Sequence, residues 1–270
     1  MSASYPLVRN LYAFSTRFGV SRSPSRAGSS PMLASSCLIS SCICLFYISA
    51  LAAQSADELY ADRANLASAR RAAAIWTSEV SADARNFEAA WKLARADYWL
   101  GGHAPDAERR SFLEQGIDAG RRAAALQPGR PEGHFWMAAN MGALAESFGR
   151  AQGLKYRKPI KEALETVLRL DAAFQDGSAD RALGRWYFKV PRLFGGSDRQ
   201  AEAHLRKSLT YNPNSTASHF FLAELLLDDG RKQEARTELE AVISAPVNPQ
   251  WAPEDADFKE RARGMMRDLK

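Results

Sequence analysis

From Ser55 onward the apolar residues recur every three or four positions rather than every second one, and Gly, Pro and capping residues break the runs apart. This pattern predicts helices and no strands. Ser55-Ala56-Asp57-Glu58 reads as a capping box that opens a helix running to about Glu79, with Leu59, Leu66, Ala69, Ala73 and Trp76 on one face. A second helix is predicted from about Ala84 to Leu100, stopping at Gly101-Gly102, and a third from about Pro105 to Leu126, stopping before Pro128-Gly129. Towards the far end, Pro253-Glu254-Asp255 puts acids into the first turn of a terminal helix. That helix carries Phe258, Ala262, Met265, Met266 and Leu269 along one side.

Between these ends the pattern repeats in pairs, and four places fit the tetratricopeptide spacing in part. The first helices of the pairs align as Trp91, Ala94, Arg95, Tyr98; then His134, Met137, Ala138, Met141; then Asp180, Leu183, Gly184, Tyr187; then His219, Leu222, Ala223, Leu226. The second helices align as Gly116, Gly120, Ala123; then Ile160, Leu164, Val167; then Ala201, Leu205, Ser208; then Ala235, Leu239, Val242. A small residue at one position of each set lets two helices approach, and a larger one fills the seam. The last pair turns at Asp228-Asp229-Gly230, whereas the others carry insertions at 102–105, 148–156 and 190–196. Ser197 caps the helix after the third insertion, and Pro159 is placed near the start of a helix after the second. The expected fold is therefore all-α: a tetratricopeptide-like helical-repeat solenoid of about four degenerate helix pairs, with additional N- and C-terminal helices, over residues 53–270.

Residues 1–52 read differently. A Ser-, Arg- and Pro-rich stretch leads into the apolar run Leu38–Ala50, and Ala50-Leu51-Ala52 offers small residues where a signal peptidase cuts. The expectation is a secretory leader removed after Ala52 or one residue later, and hence a periplasmic protein. Two other readings fit the same run: an uncleaved membrane anchor, short for a span, and lipid attachment at Cys42. Met32 is an alternative start.

Composition changes the picture at two points. The pI near 9.2 suggests nucleic-acid binding. However, Arg9, Arg17, Arg22 and Arg26 in the leader meet no acid, and without them 32 basic side chains face 31 acidic ones. A nearly neutral body without a basic stripe argues against nucleic acid. All three cysteines (Cys37, Cys42, Cys44) also lie in the leader, so the body has no thiol for a disulfide or a metal.

Three segments are more specific than a generic repeat: Glu132–Asn140, Ala182–Ser197 and Ala203–Ser215. Together they resemble the TatT family, the tetratricopeptide-like T-component found with tripartite ATP-independent periplasmic (TRAP) transporters, over roughly residues 55–268. The stretch Leu183-Gly184-Arg185-Trp186 also resembles the regulator-of-microtubule-dynamics family, which shares the helical-repeat architecture. The TatT resemblance implies a periplasmic or membrane-face location and a homo-oligomer. It also implies a partnership with a periplasmic substrate-binding protein of a TRAP transporter and a small organic or apolar ligand in a pore or cleft. The lipobox of a lipid-anchored member is not evident.

No catalytic constellation stands out, no metal site, and no cofactor motif. The four histidines form no His-x-x-x-His pair, and Ser178 in Asp176–Asp180 lacks a nucleophile elbow and reads as a helix N-cap. The expectation is a binding protein rather than an enzyme. Arg185, Trp186 and Tyr187 form the foremost candidate ligand cluster: the guanidinium suits a carboxylate and the indole an apolar group. An equally concrete reading makes the aromatics core and Arg185 an internal ion-pair partner. Trp136 and Asn140, four apart on one helix, pose the same choice, because a buried amide needs partners. His134 and His219 share one repeat position, which fits either an architectural or a ligand-facing role. Lys155-Tyr156-Arg157-Lys158 reads as a solvated loop or as a contact for an anionic partner.

Overall fold

A computed structural model describes residues 54–269. The leader expectation, with its cleavage site, anchor and Cys42 alternatives, falls on residues 1–52 and lies outside the described residues. The described residues form eleven α-helices and no strand: α1 (Ala56–Ala61), α2 (Leu66–Ala82), α3 (Phe87–His103), α4 (Asp106–Leu126), α5 (Pro131–Ser147), α6 (Arg150–Leu170), α7 (Phe174–Lys189), α8 (Asp198–Tyr211), α9 (Thr216–Asp228), α10 (Lys232–Ser244) and α11 (Ala252–Asp268). Each odd-numbered helix up to α9 packs against the even one that follows, α11 packs back on α10, and α3–α5, α5–α7, α7–α9 and α9–α11 also touch. The odd helices thus form an inner layer, and the even helices an outer one. This is the arrangement of a tetratricopeptide solenoid.

The repeat positions account for the core. Ala94, Ala138, Leu183, Leu222, Ala223 and Leu226 on the inner helices are buried, as are Ala123, Leu164, Val167, Leu205, Leu239 and Val242 on the outer ones. The terminal helix does what its apolar side implies: Phe258, Ala262, Met265, Met266 and Leu269 cover Phe220, Ala223, Leu239 and Val242 of the last pair.

Several boundaries differ from the expectation. The helix expected from Ser55 to Glu79 is two helices. The capping box at Ser55 is present, but Asp62 ends α1, and the Asn65 side chain accepts from Ala67 N at 3.0 Å to start α2. Ser68 Oγ donates to Asp62 Oδ2 across the bend at 2.7 Å. Leu59 and Leu66 are seven apart, so the apolar rhythm continued through a break made by side-chain capping. Gly101-Gly102 does not stop α3, which runs on to His103. A Cβ at Gly101 would lie 2.3 Å from Leu113 Cδ2, so this glycine serves the close approach of α4 rather than a stop.

The insertion expected at 148–156 is largely helical. Gly149, at φ +89°, makes the turn that α6 starts from, and Lys155-Tyr156-Arg157-Lys158 lies on this helix instead of in a loop. Pro159 sits inside α6 rather than near its start, and the buried face formed by Tyr156, Ile160, Ala163, Leu164 and Val167 holds the helix through it. Ser178 is not an N-cap: its hydroxyl donates back to Phe174 O at 3.0 Å. It follows a left-handed turn in which Gln175, Asp176 and Gly177 all have positive φ. Asn212 Nδ2 donates to Asp176 Oδ2 at 3.1 Å and helps to hold that turn.

Candidate functional site

The inner layer carries the chemistry, and its centre is Arg185 on α7. The guanidinium donates from Nε and Nη2 to the two carboxylate oxygens of Glu146 on α5, each at 2.7 Å, and from Nη1 to Glu224 on α9, also at 2.7 Å. Its Cζ lies 4.3 Å from the Phe221 ring centroid. Arg185 grips a carboxylate bidentately, as its chemistry suggested, but the carboxylate is the chain's own. Burial works against both charges. The two carboxylates nevertheless raise the Arg185 pKa above the ordinary arginine value, and Arg185, aided by Lys189 and Arg261, holds Glu146 below the usual carboxylate range. Three consecutive inner helices are thereby tied together.

The neighbouring aromatics are also engaged. Trp186 and Tyr187 are buried and meet edge-on at 4.9 Å. Trp186 Nε1 donates to Arg157 O at 2.9 Å, pinning α7 to α6. Tyr187 stacks on His204 at 5.4 Å, and His204 Nδ1 lies 2.7 Å from Asp180 Oδ1. Trp136 and Asn140 lie apart from this cluster, at the seam of α3 and α5. Asn140 is fully buried, and its Nδ2 donates to Ala94 O at 2.9 Å and to Trp136 O at 2.8 Å. Trp136 packs against Tyr98 at 5.7 Å and Phe135 at 5.1 Å.

The two histidines of the shared repeat position do the same job at their N-terminal helix ends. One ring nitrogen of His134 reaches Pro128 O at 3.0 Å, and one of His219 reaches Pro213 O at 2.9 Å, six residues back in both cases. His219 adds a contact to Glu238 on α10 at 2.5 Å. Burial lowers the His219 pKa, but Glu238 and the Pro213 carbonyl more than offset this, so the net shift is upward. The seven candidate residues therefore fall on three inner helices; Arg185, Trp186, Asn140 and His219 bridge neighbouring helices, His134 braces its own helix start, and Trp136 Nε1 and Asn140 Oδ1 make no hydrogen bond with the described residues. The seven do not converge on one pocket.

Sequence reasoning passed over three groups. Glu146 and Glu224 are unremarkable acids, although Glu224 follows Ala223 as Arg185 follows Gly184. Opposite charges at one repeat position of adjacent inner helices were thus a visible signal. Arg63, in the bend between α1 and α2, is 3% exposed and donates to Glu254 and, at 2.7 Å, to Gln250 O. No local pattern announces a pair 191 residues apart. Asp97 on α3 is 1% exposed, and its Oδ2 receives no hydrogen bond from the described residues.

Burial raises the Asp97 pKa well above the carboxylate value. Its folded pKa exceeds the unfolded one, so stability is lost as pH rises from the ordinary carboxylate range towards the folded value, at up to about 1.4 kcal/mol per pH unit. Asp97→Asn removes that slope. Urea midpoints should show the variant more stable than the parent at neutral pH, with the margin shrinking towards pH about 4. A margin independent of pH would rule out the buried charge as its source.

Two concavities carry charged side chains in their walls. One, of about 360 Å³, is lined by Phe188, Lys189, Glu224, Leu227, Asp228 and Met265. The other, of about 230 Å³, lies among Asp198, Arg199, Glu202, Leu225, Asp229 and Arg231. Neither is lined by Arg185 or Trp186. Among the described residues no group of three or more His, Cys, Asp or Glu side chains could hold a metal ion, and no helix is long and apolar enough to cross a membrane.

Comparison with known proteins separates the two resemblances. The family profile described as regulator of microtubule dynamics protein 1-3 matches residues 52–194, and a tetratricopeptide repeat profile matches residues 199–253. No curated protein sequence matches the chain. Among solved structures, a thermophilic TPR protein from Thermus thermophilus is 22% identical over 78% of this chain and 95% of its own, with a TM-score of 0.59. This likeness shows the fold. MamA is 15% identical, covering 74% of this chain and 95% of its own at a TM-score of 0.45. The first profile covers more than half of the sequence, including the α7 segment Leu183–Trp186 and both Glu146 and its partner Arg185, and so the chain belongs to the regulator of microtubule dynamics protein 1-3 family.

Proposed function

We propose that this protein is a non-catalytic adaptor that binds a protein partner on its helix-pair framework. The supporting observation is how its polar side chains are used. Those best suited to grip a small ligand are engaged between helices: Arg185 through three of its nitrogens, His219 through both ring nitrogens, and Asn140 through its amide nitrogen, with only Asn140 Oδ1 lacking a hydrogen bond among the described residues. Both concavities are bordered by charges and neither is a closed cavity, which suits a partner's polar surface better than an enclosed small molecule. Rigid struts also serve an adaptor, because a surface that is already ordered loses less entropy on binding.

A narrower form of this reading places the protein in the periplasm as an accessory component of a TRAP-type transport system. There it would act as a homo-oligomer that holds the substrate-binding protein; a bound organic or apolar ligand at Arg185, Trp186, Tyr187, Trp136, Asn140, His134 and His219 is a separate reading, which their spread over three helices disfavours. The transport form rests on the resemblance of Glu132–Asn140, Ala182–Ser197 and Ala203–Ser215. Native mass spectrometry of the chain, with and without a purified TRAP substrate-binding protein, tests both forms. Capture of that protein without a retained small molecule is the expected result for the transport adaptor. A stoichiometric small molecule in the spectrum would restore the ligand-binding reading. A chain that ignores the binding protein ends the transport form. The matched family is named for microtubule dynamics, so co-sedimentation with polymerised tubulin is the parallel assay.

A further inference from the structure

We propose that the first half of α6 and the turn Pro191–Gly196 together form a docking face for an anionic lipid bilayer. The turn presents apolar side chains outward: Leu193 is 88% exposed and Phe194 42%, and Leu154 on α6 is 53% exposed. This exposure is built in, because the turn is stiff. Phe194 N and Gly196 N both donate to Pro191 O, at 2.8 and 3.2 Å, and Ser197 N donates to Tyr187 O at 2.9 Å. Gly195 supplies the positive φ of 105° that closes it. A leucine this exposed on a braced turn projects from the surface instead of lining a groove.

Cations lie on the adjoining helix face. Arg157 Cζ lies 5.1 Å from the Phe194 ring centroid and joins α6 to the turn. Leu154 is three residues before Arg157 and four before Lys158, so these three share a helix face. Residues 150–161 hold five cations and no acid, in a body whose charges otherwise nearly balance. Of the nearby charges, Arg192 is paired with Asp198 at 2.5 Å, while Lys155 and Lys158 are exposed. Protruding apolar tips beside a basic helix face match the interface of an anionic membrane: the tips enter the acyl boundary and the cations meet the headgroup charge. A flat acidic protein surface would satisfy the cations but leave Leu193 without a pocket.

The test uses the full chain and vesicles of phosphatidylcholine with about one-third phosphatidylserine, compared with phosphatidylcholine alone. Hydrogen exchange should slow in peptides covering 150–161 and 190–197 on the anionic vesicles only. In co-sedimentation, Leu193→Asp and the pair Lys155→Glu, Lys158→Glu should each weaken binding roughly tenfold. These side chains are exposed, so the variants keep the parent's thermal transition, which is measured alongside. Protection confined to other segments, or binding unchanged in both variants, overturns the proposal. Protection of the same peptides by an acidic protein but not by vesicles also overturns it and reassigns the face to a protein.

Discussion

Replacing Arg185 with alanine is expected to cost about 3 kcal/mol of unfolding free energy, the lower end of the range for removing one member of a buried ion pair. The lower end applies because Arg185, Glu146 and Glu224 keep 16%, 29% and 20% side-chain exposure, so water screens part of the charge. The cost arises less from the lost attraction than from what remains. Two carboxylates from α5 and α9 would be left partly buried and close together, with no cation between them. Neutralising them separates the two contributions. Arg185→Met with Glu146→Gln and Glu224→Gln should recover most of the loss in urea denaturation, because nothing charged is then stranded. A triple variant as weak as Arg185→Ala would mean that the fork geometry, not the charge balance, holds α5, α7 and α9 together. Arg185→Lys should fall between the two, since an ammonium cannot serve three acceptors in a planar fork.

The second large effect is expected at the far end of the inner layer. Arg63→Ala should cost about 3–5 kcal/mol, because Arg63 is among the most buried charges in the chain and its removal leaves Glu254 unpaired. Its guanidinium also lies 4.9 Å from the Tyr60 ring centroid and 5.4 Å from that of Trp99. Tyr60 itself is so enclosed that burial pushes its pKa up to about 12. The Arg63–Glu254 contact brings the start of α11 back to the first helices. So does His103 Nε2 to Asp257 Oδ2, at 2.9 Å. The loss should therefore be local before it is global. Hydrogen exchange in residues 246–257 should quicken at urea concentrations that leave the α3–α8 amides protected. Uniform quickening along the chain would place Arg63 in the main folding unit and contradict the picture of a separately releasable end.

Legibility in the sequence follows the range of the interaction. Helix periodicity, the capping boxes and the small-large alternation of the seams act within four residues or recur at repeat spacing, and the second-helix positions Leu164, Leu205 and Leu239 were identified without coordinates. The errors also have local causes. The split between α1 and α2 was hidden because seven residues, the separation of Leu59 and Leu66, is close to two helical turns. Pro159 normally marks a helix start, so Lys155–Lys158 reads as a loop, whereas packing against neighbouring helices carries α6 through it. At the candidate site, residue types were legible and partners were not. Arg185 was recognised as a cation able to hold a carboxylate, but sequence alone could not decide between an external carboxylate and Glu146, 39 residues away on another helix.

The sequence by itself determined that this is an all-helical chain of paired repeats with a nearly neutral body, because helix formation and seam packing are set by neighbours along the chain. The tertiary structure alone decided that Arg185, Asn140 and His219 are spent on internal struts, that Arg63 clasps the start of the last helix, and that Leu193 projects beside a basic face. Each of these depends on which helices the superhelical stacking brings within hydrogen-bonding reach, and that reach is a property of the packed layers rather than of any local stretch of residues.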